Sequence, residues 1–238
     1  MVAPPPIRLL VHGASGRMGR ALLRLVAVDP RFELAGAITR AGGMVDGVRC
    51  LPAARIAAAL PFDALVDFSL PAAFDTALEV CLQRGIALVS GTTGLSPAQC
   101  KALALAAQSI PLVCAANFSL GVAVLHELVA RAAAALPNWD CHLLETHHVR
   151  KLDAPSGTAL ALGQTIAAAR GQAPHYLSLR AGDVVGEHHV QFTGAGERLE
   201  LIHRATDRDI FARGALEAAA RVAGRAPGLY ALGKLLLG

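Results

Sequence analysis

The stretch ETHHVRKLDAPSGTAL, residues 145–160, concentrates polar side chains in a chain otherwise rich in alanine, leucine and valine. His147 can give or take a proton near neutral pH, and Lys151 supplies a positive charge or a hydrogen-bond donor. Because neighbours on a strand point to opposite sides, only one of His147 and His148 is expected over a given reacting atom. These residue types predict proton transfer to a bound substrate.

A helix is predicted to begin near Asp153-Ala-Pro155-Ser156 and to run to Arg170, with Gly171 as its C-terminal stop. The backbone amides of Gly157 and Thr158, in its first turn, would then point at a carboxylate or a phosphate. A proton donor, a cation and an anion-binding helix end within a dozen residues predict a site for a small anionic substrate. A purely structural role for the histidines is the alternative.

A zinc site is the other interpretation of these side chains. The candidate ligands are Glu145, His147, His148, His188 and His189. Adjacent histidines on a strand diverge, however, and the sequence has no HExxH or comparable ligand spacing. We therefore expect no metal, with a metal-dependent hydrolase as the rival hypothesis.

The segment GASGRMG, residues 13–19, lies between the apolar run IRLLV and a predicted amphipathic helix from about Gly16 to Val28. Glycines in this pattern permit a tight turn, close approach of the backbone to a pyrophosphate, and close packing of the helix on the strand. The amides at the helix N-terminus would face the phosphates. The pattern predicts a dinucleotide-binding loop, and a tight turn without a ligand is the alternative.

The end of the second predicted strand, Thr39-Arg40, bears on the type of cofactor. A carboxylate at this place would hold a ribose 2′-hydroxyl, and neither residue is acidic. An arginine can pair with a 2′-phosphate. We expect NADPH to be preferred, with NADH as a second cofactor, unless Arg40 is simply a solvated surface residue.

Strands and helices alternate through the first half of the chain. Strands are predicted at 7–11, 32–39, 64–69, 86–90 and 110–116, helices follow at 71–84 and from Ser96, and AGGMVDG (41–47) is interpreted as a loop. This alternation predicts an α/β fold with a Rossmann-like doubly wound parallel sheet. GTTG, residues 91–94, follows one strand at the edge where a ligand would lie.

After Asn117 the pattern changes. A long helix is predicted at about 120–136 and a strand at 139–148, and HHVQF and RLELIH flank TGAGE as in an antiparallel hairpin. A helix at 207–223 would return to the first domain. We predict a dinucleotide-binding domain of residues 1–118 and 206–238, and a smaller α+β substrate-binding domain of residues 119–205.

Composition excludes several classes of protein. Hydrophobic residues form 54% and charged residues 17% of the 238 positions, which indicates a packed globular chain. No membrane span or signal peptide is evident, so a cytoplasmic protein is the simplest interpretation. The five cysteines form no CxxC, and neither a disulfide framework nor a thiolate site is expected. A net charge of +4 with 4% aromatics favours an anionic ligand over nucleic acid.

Taken together, the motifs resemble those of the 4-hydroxy-tetrahydrodipicolinate reductase (dihydrodipicolinate reductase) family of bacterial lysine and diaminopimelate synthesis. They occur in the family's order and cover nearly the whole chain, and HHxxK followed by DAPSGTA is the most specific part. The matching segments are GASGRMGR (13–20), DFSLP (67–71), GTTG (91–94), AANFSLGV (115–122), ETHHVRKLDAPSGTAL (145–160), RAGDVVGEH (180–188) and GERLELIHRATDRDIFARGAL (196–216).

The resemblance implies reduction of 4-hydroxy-tetrahydrodipicolinate to tetrahydrodipicolinate by NAD(P)H, with loss of water, in a homotetramer joined through the second, oligomerisation domain. It implies that His147 donates or accepts a proton and that Lys151 is a second proton donor. His148, Gly157 and Thr158 would hold the substrate carboxylates. The cofactor site would comprise Gly13, Ala14, Ser15, Gly16, Arg17, Met18, Arg40, Gly91, Thr92, Thr93, Ala115, Ala116, Asn117 and Phe118.

The chain departs from the family pattern at several positions. Val149 stands where arginine is common, His189 where threonine is common, and Thr39 where an acidic residue is frequent. The segment 171–180 is shorter than in many members. This shortening leaves a catalytically idle, NADPH-binding regulatory protein as the alternative function.

Overall fold

The computed structural model describes residues 4–238, which form two compact units. The first unit contains the chain up to Phe118 together with Phe211–Gly238, and the second contains Ser119–Ile210. The chain therefore returns to the first unit at Phe211, beyond the predicted domain boundary at residue 206.

The strands are β1 (Ile7–His12), β2 (Phe32–Thr39), β3 (Gly43–Val45), β4 (Val48–Pro52), β5 (Ala64–Asp67), β6 (Ala87–Ser90), β7 (Pro111–Cys114), β8 (Asp140–His147), β9 (His175–Arg180), β10 (Gly186–Gly194), β11 (Glu197–Ala205) and β12 (Gly228–Leu229). The helices are α1 (Arg17–Val26), α2 (Pro71–Arg84), α3 (Pro97–Ala106), α4 (Leu120–Ala135), α5 (Gly157–Arg170), α6 (Asp209–Val222) and α7 (Leu232–Leu237), with a 3-10 helix at Ala53–Ala58. Within residues 4–238, no helix combines the length and apolar character needed to cross a membrane.

The first unit is built on an eight-stranded sheet in the order β12-β7-β6-β5-β1-β2-β4-β3. All its strand pairs are parallel except β3 with β4. Strand β1 lies between β2 and β5, so the strand order reverses beside β1, and the loops after β1 and β5 meet at one edge. The predicted doubly wound parallel sheet is confirmed.

The interpretation of AGGMVDG as a loop is wrong, because Gly43–Val45 forms β3, antiparallel to β4. Val45 pairs with Val48, and Asp46 and Gly47 form the connecting turn with φ angles of 48° and 83°. An Asp-Gly pair between apolar residues is a strong hairpin signal. The local signal was therefore present in the sequence.

The second unit has a four-stranded sheet in the order β11-β10-β8-β9. Its core contains Leu143, Val190 and Phe192 from the sheet and Leu125 and Leu162 from α4 and α5. The predicted hairpin is confirmed as β10 and β11.

Strand β9 lies in the region that the sequence analysis treated only as a shortened segment. It pairs parallel with β8, and this register places Arg180 opposite His147. The shortened segment thus supplies a charged side chain to the end of β8.

Candidate active site

The glycine-rich loop between β1 and α1 requires glycine for steric reasons. Gly13 has φ of 81°, and a Cβ atom there would lie 2.5 Å from the carbonyl oxygen of Phe68. A Cβ atom on Gly19 would overlap the backbone of Gly13 and Ala14. Helix α1 begins after Gly16 without a side-chain cap, so no side chain occupies the amides of its first turn. This arrangement suits a bound phosphate.

A cavity of about 680 Å³ opens beside this loop, in the volume range of small-molecule sites. The predicted cofactor residues Gly13, Ser15, Gly16 and Arg40 line it. The remaining wall consists of His12, Thr39, Ala53, Ala54, Phe68, Ser69, Leu70, Ala72, Ala73 and Thr76. Its position at the reversal of strand order and its open backbone fit a nicotinamide dinucleotide.

Three further predicted residues shape the cavity indirectly. Gly91 leaves room for the ring of Phe68, which a Cβ atom would overlap, and Phe118 meets the same ring edge-on at 5.5 Å between centroids. Thr92 lies behind the cavity wall and contacts Asp67. The other predicted cofactor residues do not line this cavity: Ala14, Arg17, Met18, Thr93, Ala115, Ala116 and Asn117.

Asp67, which the sequence analysis did not single out, ties together the ends of three strands. Its fully buried carboxylate accepts hydrogen bonds from Thr92 Oγ1 (2.7 Å), Ser90 Oγ (2.8 Å) and His12 Nδ1 (2.9 Å). Burial alone would raise the pKa of Asp67, but the contacts with His12, Ser69 and Thr92 outweigh it and lower the pKa. The available sequence signal was a polar residue at the end of each of these apolar strands.

The tip of β2 carries the proposed determinant of cofactor type. Thr39 Oγ1 donates to the carbonyl oxygen of Gly42 at 2.9 Å, which places the hydroxyl in the local turn. Arg40 is exposed at the cavity, and no carboxylate of residues 4–238 forms an ion pair with it. Its guanidinium can therefore receive an anionic ligand.

In the second unit, His147 ends β8 and is buried beside Glu145. The Nδ1 atom of His147 donates to the Glu145 carboxylate, which has no exposed surface. Arg180 donates from Nη2 to Oε1 (2.8 Å) and from Nη1 to Oε2 (3.0 Å) of Glu145. Burial alone would raise the pKa of Glu145, but the hydrogen bonds led by Arg180 lower it to about 2. Glu145 is therefore ionised at neutral pH.

Lys151 lies in the loop that follows His148. Its backbone amide donates to the His148 carbonyl at 3.0 Å, and its Nζ atom pairs with Asp153 at 2.8 Å. Arg180 donates to the carbonyl oxygens of Lys151 (3.2 Å) and Asp153 (2.6 Å). The guanidinium of Arg180 thus anchors both Glu145 and this loop.

The N-terminus of α5 is the predicted anion-binding helix end. Ser156 is the N-cap, and its Oγ atom accepts from the Ala159 amide at 3.2 Å. Gly157 is exposed, and a Cβ atom there would meet nothing within 4 Å. His148 is half-buried, and desolvation followed by the charges of Arg150 and Arg208 lowers its pKa.

Two further histidines, His188 and His203, extend the site inward from His147. The sequence predicted His188 only as a candidate zinc ligand and did not single out His203. The ring of His188 lies 5.4 Å from that of His147 and 6.4 Å from that of His203. Desolvation, with the nearby His147 and His203, lowers the pKa of His188 to about 4. His188 Nε2 lies 3.2 Å from Ser156 Oγ, which links β10 to the start of α5.

The five candidate zinc ligands are not assembled. In the part of the chain that the structure describes, no group of three or more His, Cys, Asp or Glu side chains could hold a metal ion. Glu145 is engaged by His147 and Arg180, and His189 lies 3.8 Å from Glu200 instead.

The doubly wound sheet, the glycine-lined cavity at its strand-order reversal and the separate histidine-lysine site define a class, the nucleotide-binding NAD(P)H-dependent reductases. The family models narrow this class. The dihydrodipicolinate reductase N-terminus model matches residues 7–118, and the dihydrodipicolinate reductase C-terminus model matches residues 121–236. The chain belongs to the dihydrodipicolinate reductase family.

Individual relatives agree with this assignment. The chain is 61% identical to 4-hydroxy-tetrahydrodipicolinate reductase of Stenotrophomonas maltophilia (strain R551-3), covering 97% of this chain and 98% of the relative. It is 58% identical to the protein of the same name from Xanthomonas campestris pv. campestris (strain B100), covering 98% of each. The fold is similar to that of dipicolinate-bound dihydrodipicolinate reductase from Paenisporosarcina sp. TG-14, with a TM-score of 0.86, 24% identity, and coverage of 96% and 99%.

Proposed function

We propose that the chain reduces 4-hydroxy-tetrahydrodipicolinate to tetrahydrodipicolinate with NAD(P)H and loss of water, in the diaminopimelate route to lysine. The observation that carries the proposal is how the site is connected in a chain of this family. Arg180 contacts both Glu145, the partner of His147, and the carbonyl oxygen of Lys151. His188 contacts both the His147 ring and Ser156, the N-cap of α5. A proton donor, a cation and an anion-binding helix end suit an imine-type dicarboxylate.

The first unit would bind the cofactor. A reduced nicotinamide supplies the hydride when bound. The amides that open α1 would hold the pyrophosphate, and Gly13 and Gly16 keep side chains out of its path. Arg40 would pair with a 2′-phosphate, and for this reason we propose that NADPH is preferred over NADH.

The second unit would hold the substrate and manage its protons. With Nδ1 of His147 donating to Glu145, the Nε2 atom is the one available for proton exchange with the substrate. Lys151 would act as a second proton donor. His148 and the amides of Gly157 and Thr158 would hold the two carboxylates.

We also propose a homotetramer whose contacts involve the second unit's sheet. Its outer strands expose Leu177 and Leu179 on β9 and Leu199 and Ile202 on β11. Apolar side chains grouped on edge strands favour association. Light scattering coupled to gel filtration would measure the assembly, and a monomer at all concentrations would contradict this part of the proposal.

The test is oxidation of NADPH, then of NADH, followed by the absorbance of the reduced cofactor. The substrate would be generated in place from pyruvate and aspartate semialdehyde. Substrate-dependent oxidation with higher kcat/KM for NADPH is expected, and it should persist in the presence of a chelator. Cofactor binding without turnover would favour the idle regulatory protein. Loss of activity with the chelator and recovery with zinc would favour the hydrolase.

A further inference from the structure

An ion pair with a fully buried carboxylate lies directly behind the proposed proton donor. Glu145 has no exposed surface, and the half-buried Arg180 contacts both of its oxygens. Removing a carboxylate from water carries a desolvation cost that offsets the attraction to its partner, so such a pair is poor evidence for stability alone. The contact of the Glu145 carboxylate with His147 suggests a different role for the pair.

We propose that Glu145 and Arg180 are positioning residues for proton transfer: Glu145 orients the imidazole of His147, and Arg180 holds both Glu145 and the loop that carries Lys151. This inference rests on the proposed function of His147 and Lys151. It assigns to the ion pair a role beyond binding either substrate or cofactor.

Glu145 acts on His147 through a single hydrogen bond. An ionised carboxylate can only accept, so Nδ1 of His147 carries the proton in this contact. The neutral ring is thereby held in the Nδ1–H tautomer, with the Nε2 lone pair available. The carboxylate also stabilises the protonated ring, the form in which His147 can donate a proton.

Arg180 acts through the shape of its guanidinium. Its Nη1 and Nη2 atoms engage Glu145, while Nε and Nη2 donate to the carbonyl oxygens of Lys151 and Asp153. A planar group with five donors can make these contacts together, whereas an ammonium group cannot reproduce the fork. One side chain therefore couples the position of the imidazole to the position of the lysine loop.

The charged and titratable groups around His147 come from several elements. Arg180 approaches from β9, His188 from β10, and His148 and Lys151 from the following loop, while Glu145 lies on its own strand. Glu145 is the carboxylate that contacts His147, whereas Asp153 pairs with Lys151. Removing the charge of Glu145 should therefore leave Arg180 without its ion-pair partner and take away the negative charge beside the His147 ring.

The decisive variants are Glu145→Gln and the double variant Glu145→Gln/Arg180→Met, which removes both charges of the ion pair. We expect Glu145→Gln to lower kcat by at least about 10-fold, with a smaller change in the KM for NADPH. The alkaline limb of the kcat profile should move to lower pH by about one unit. The double variant should remain impaired, because it restores neutrality without restoring the negative charge beside His147.

Three kinetic outcomes would overturn the inference. One is wild-type kcat and an unshifted pH profile in Glu145→Gln. The second is full recovery in the double variant, which would mean that only the unpaired charge had mattered. The third is full activity in Arg180→Lys, because the fork geometry would then be unnecessary.

Two controls separate this inference from the proposed function. Glu187→Gln removes a carboxylate paired with Arg204 at 3.3 Å in the same sheet and should leave kcat unchanged.

Nitrogen NMR of the histidine ring reports the tautomer of His147 without any turnover. We expect the Nδ1–H form in the wild type and its loss in Glu145→Gln. Absence of that form in the wild type would overturn the inference, whereas wild-type inactivity with the form present would contradict only the proposed function.

Discussion

The N-termini of α1 and α5 are both candidate anion-binding sites, but they are constructed differently. At α1 the N-cap is Gly16, which has no side chain to cap the helix, and a side chain at Gly13 in the preceding loop would overlap the backbone of Phe68. At α5 the N-cap is Ser156, whose hydroxyl accepts from the Ala159 amide and contacts His188. The first site is formed by bare backbone, and the second is surrounded by titratable side chains.

This difference matches the ligand that we propose for each site. A pyrophosphate has a permanent charge, so fixed amides and space suffice to bind it. A substrate that is protonated and reduced needs groups whose charge changes during the reaction, such as His147. Substitutions at the two sites should therefore have different effects. At α1 they should change stability and cofactor binding, and near α5 they should change kcat and its dependence on pH.

The largest effect is expected from His147→Gln. Loss of a general acid should lower kcat by about 10² to 10⁴-fold, while NADPH binding, which we assign to the first unit, should stay at the wild-type level. Steady-state kinetics and fluorescence titration of NADPH measure the two quantities. Unchanged kcat would remove His147 from proton transfer, and weakened NADPH binding would show that the two sites are not separable.

Acid titration probes the buried charge of the second site. The pKa of Glu145 is lowered from 4.5 to about 2, so its contribution is complete above about pH 4.5 and is lost as the pH falls towards 2. We expect the wild type to lose up to about 3 kcal/mol more unfolding free energy than Glu145→Gln across this window. Denaturant unfolding at several pH values measures it, and parallel curves for the two proteins would contradict the expectation.

A matched pair of glycine substitutions compares the two helix ends directly. Gly13→Ala places a methyl group against the Phe68 carbonyl at a positive φ and should lower the unfolding free energy by more than about 2 kcal/mol. Gly157→Ala meets open space, so stability should change by less than about 1 kcal/mol while the substrate KM rises. Thermal unfolding and kinetics test both, and equal destabilisation would remove the proposed contrast.

The smallest effect concerns the choice of cofactor. Arg40→Ala should raise the KM for NADPH by about 10-fold, the equivalent of one charge-assisted phosphate contact, and leave the KM for NADH nearly unchanged. Paired assays with the two cofactors measure the ratio. An equal change for both would mean that Arg40 does not contact a 2′-phosphate.

Much of the first unit could be predicted because its signals are local. The alternation of apolar runs and helical periods predicted the parallel sheet, and the helix predicted from Ser96 begins there with a capping box formed by Ser96 and Gln99. The hairpin at Asp46-Gly47 was missed despite a local signal. The role of Asp67 was not predicted: the polar residue at the end of its strand was a local signal, but its partners on β1 and β6 become neighbours only when the strands pair.

The second unit shows the same limit of prediction from local sequence signals, here at the candidate active site. Its motif predicted His147, Lys151 and the start of α5, but not the residues that hold them. Arg180 lies 35 positions from Glu145 in the chain, and the pairing of β8 with β9 brings them together. His188 reaches His147 in the same way, through the pairing of β10 with β8.

The amino-acid sequence was enough to predict the alternating strands and helices of the first unit, the glycine-rich loop, the histidine-lysine motif and the resemblance to the family. These features depend on residue type and short-range spacing. The tertiary structure alone decided which charges are buried together: Asp67 with His12, and Glu145 with Arg180 and His147. The physical reason is that burial and ion pairing depend on distances between atoms remote in the chain. Those distances exist only once the strands have taken their places in the sheets.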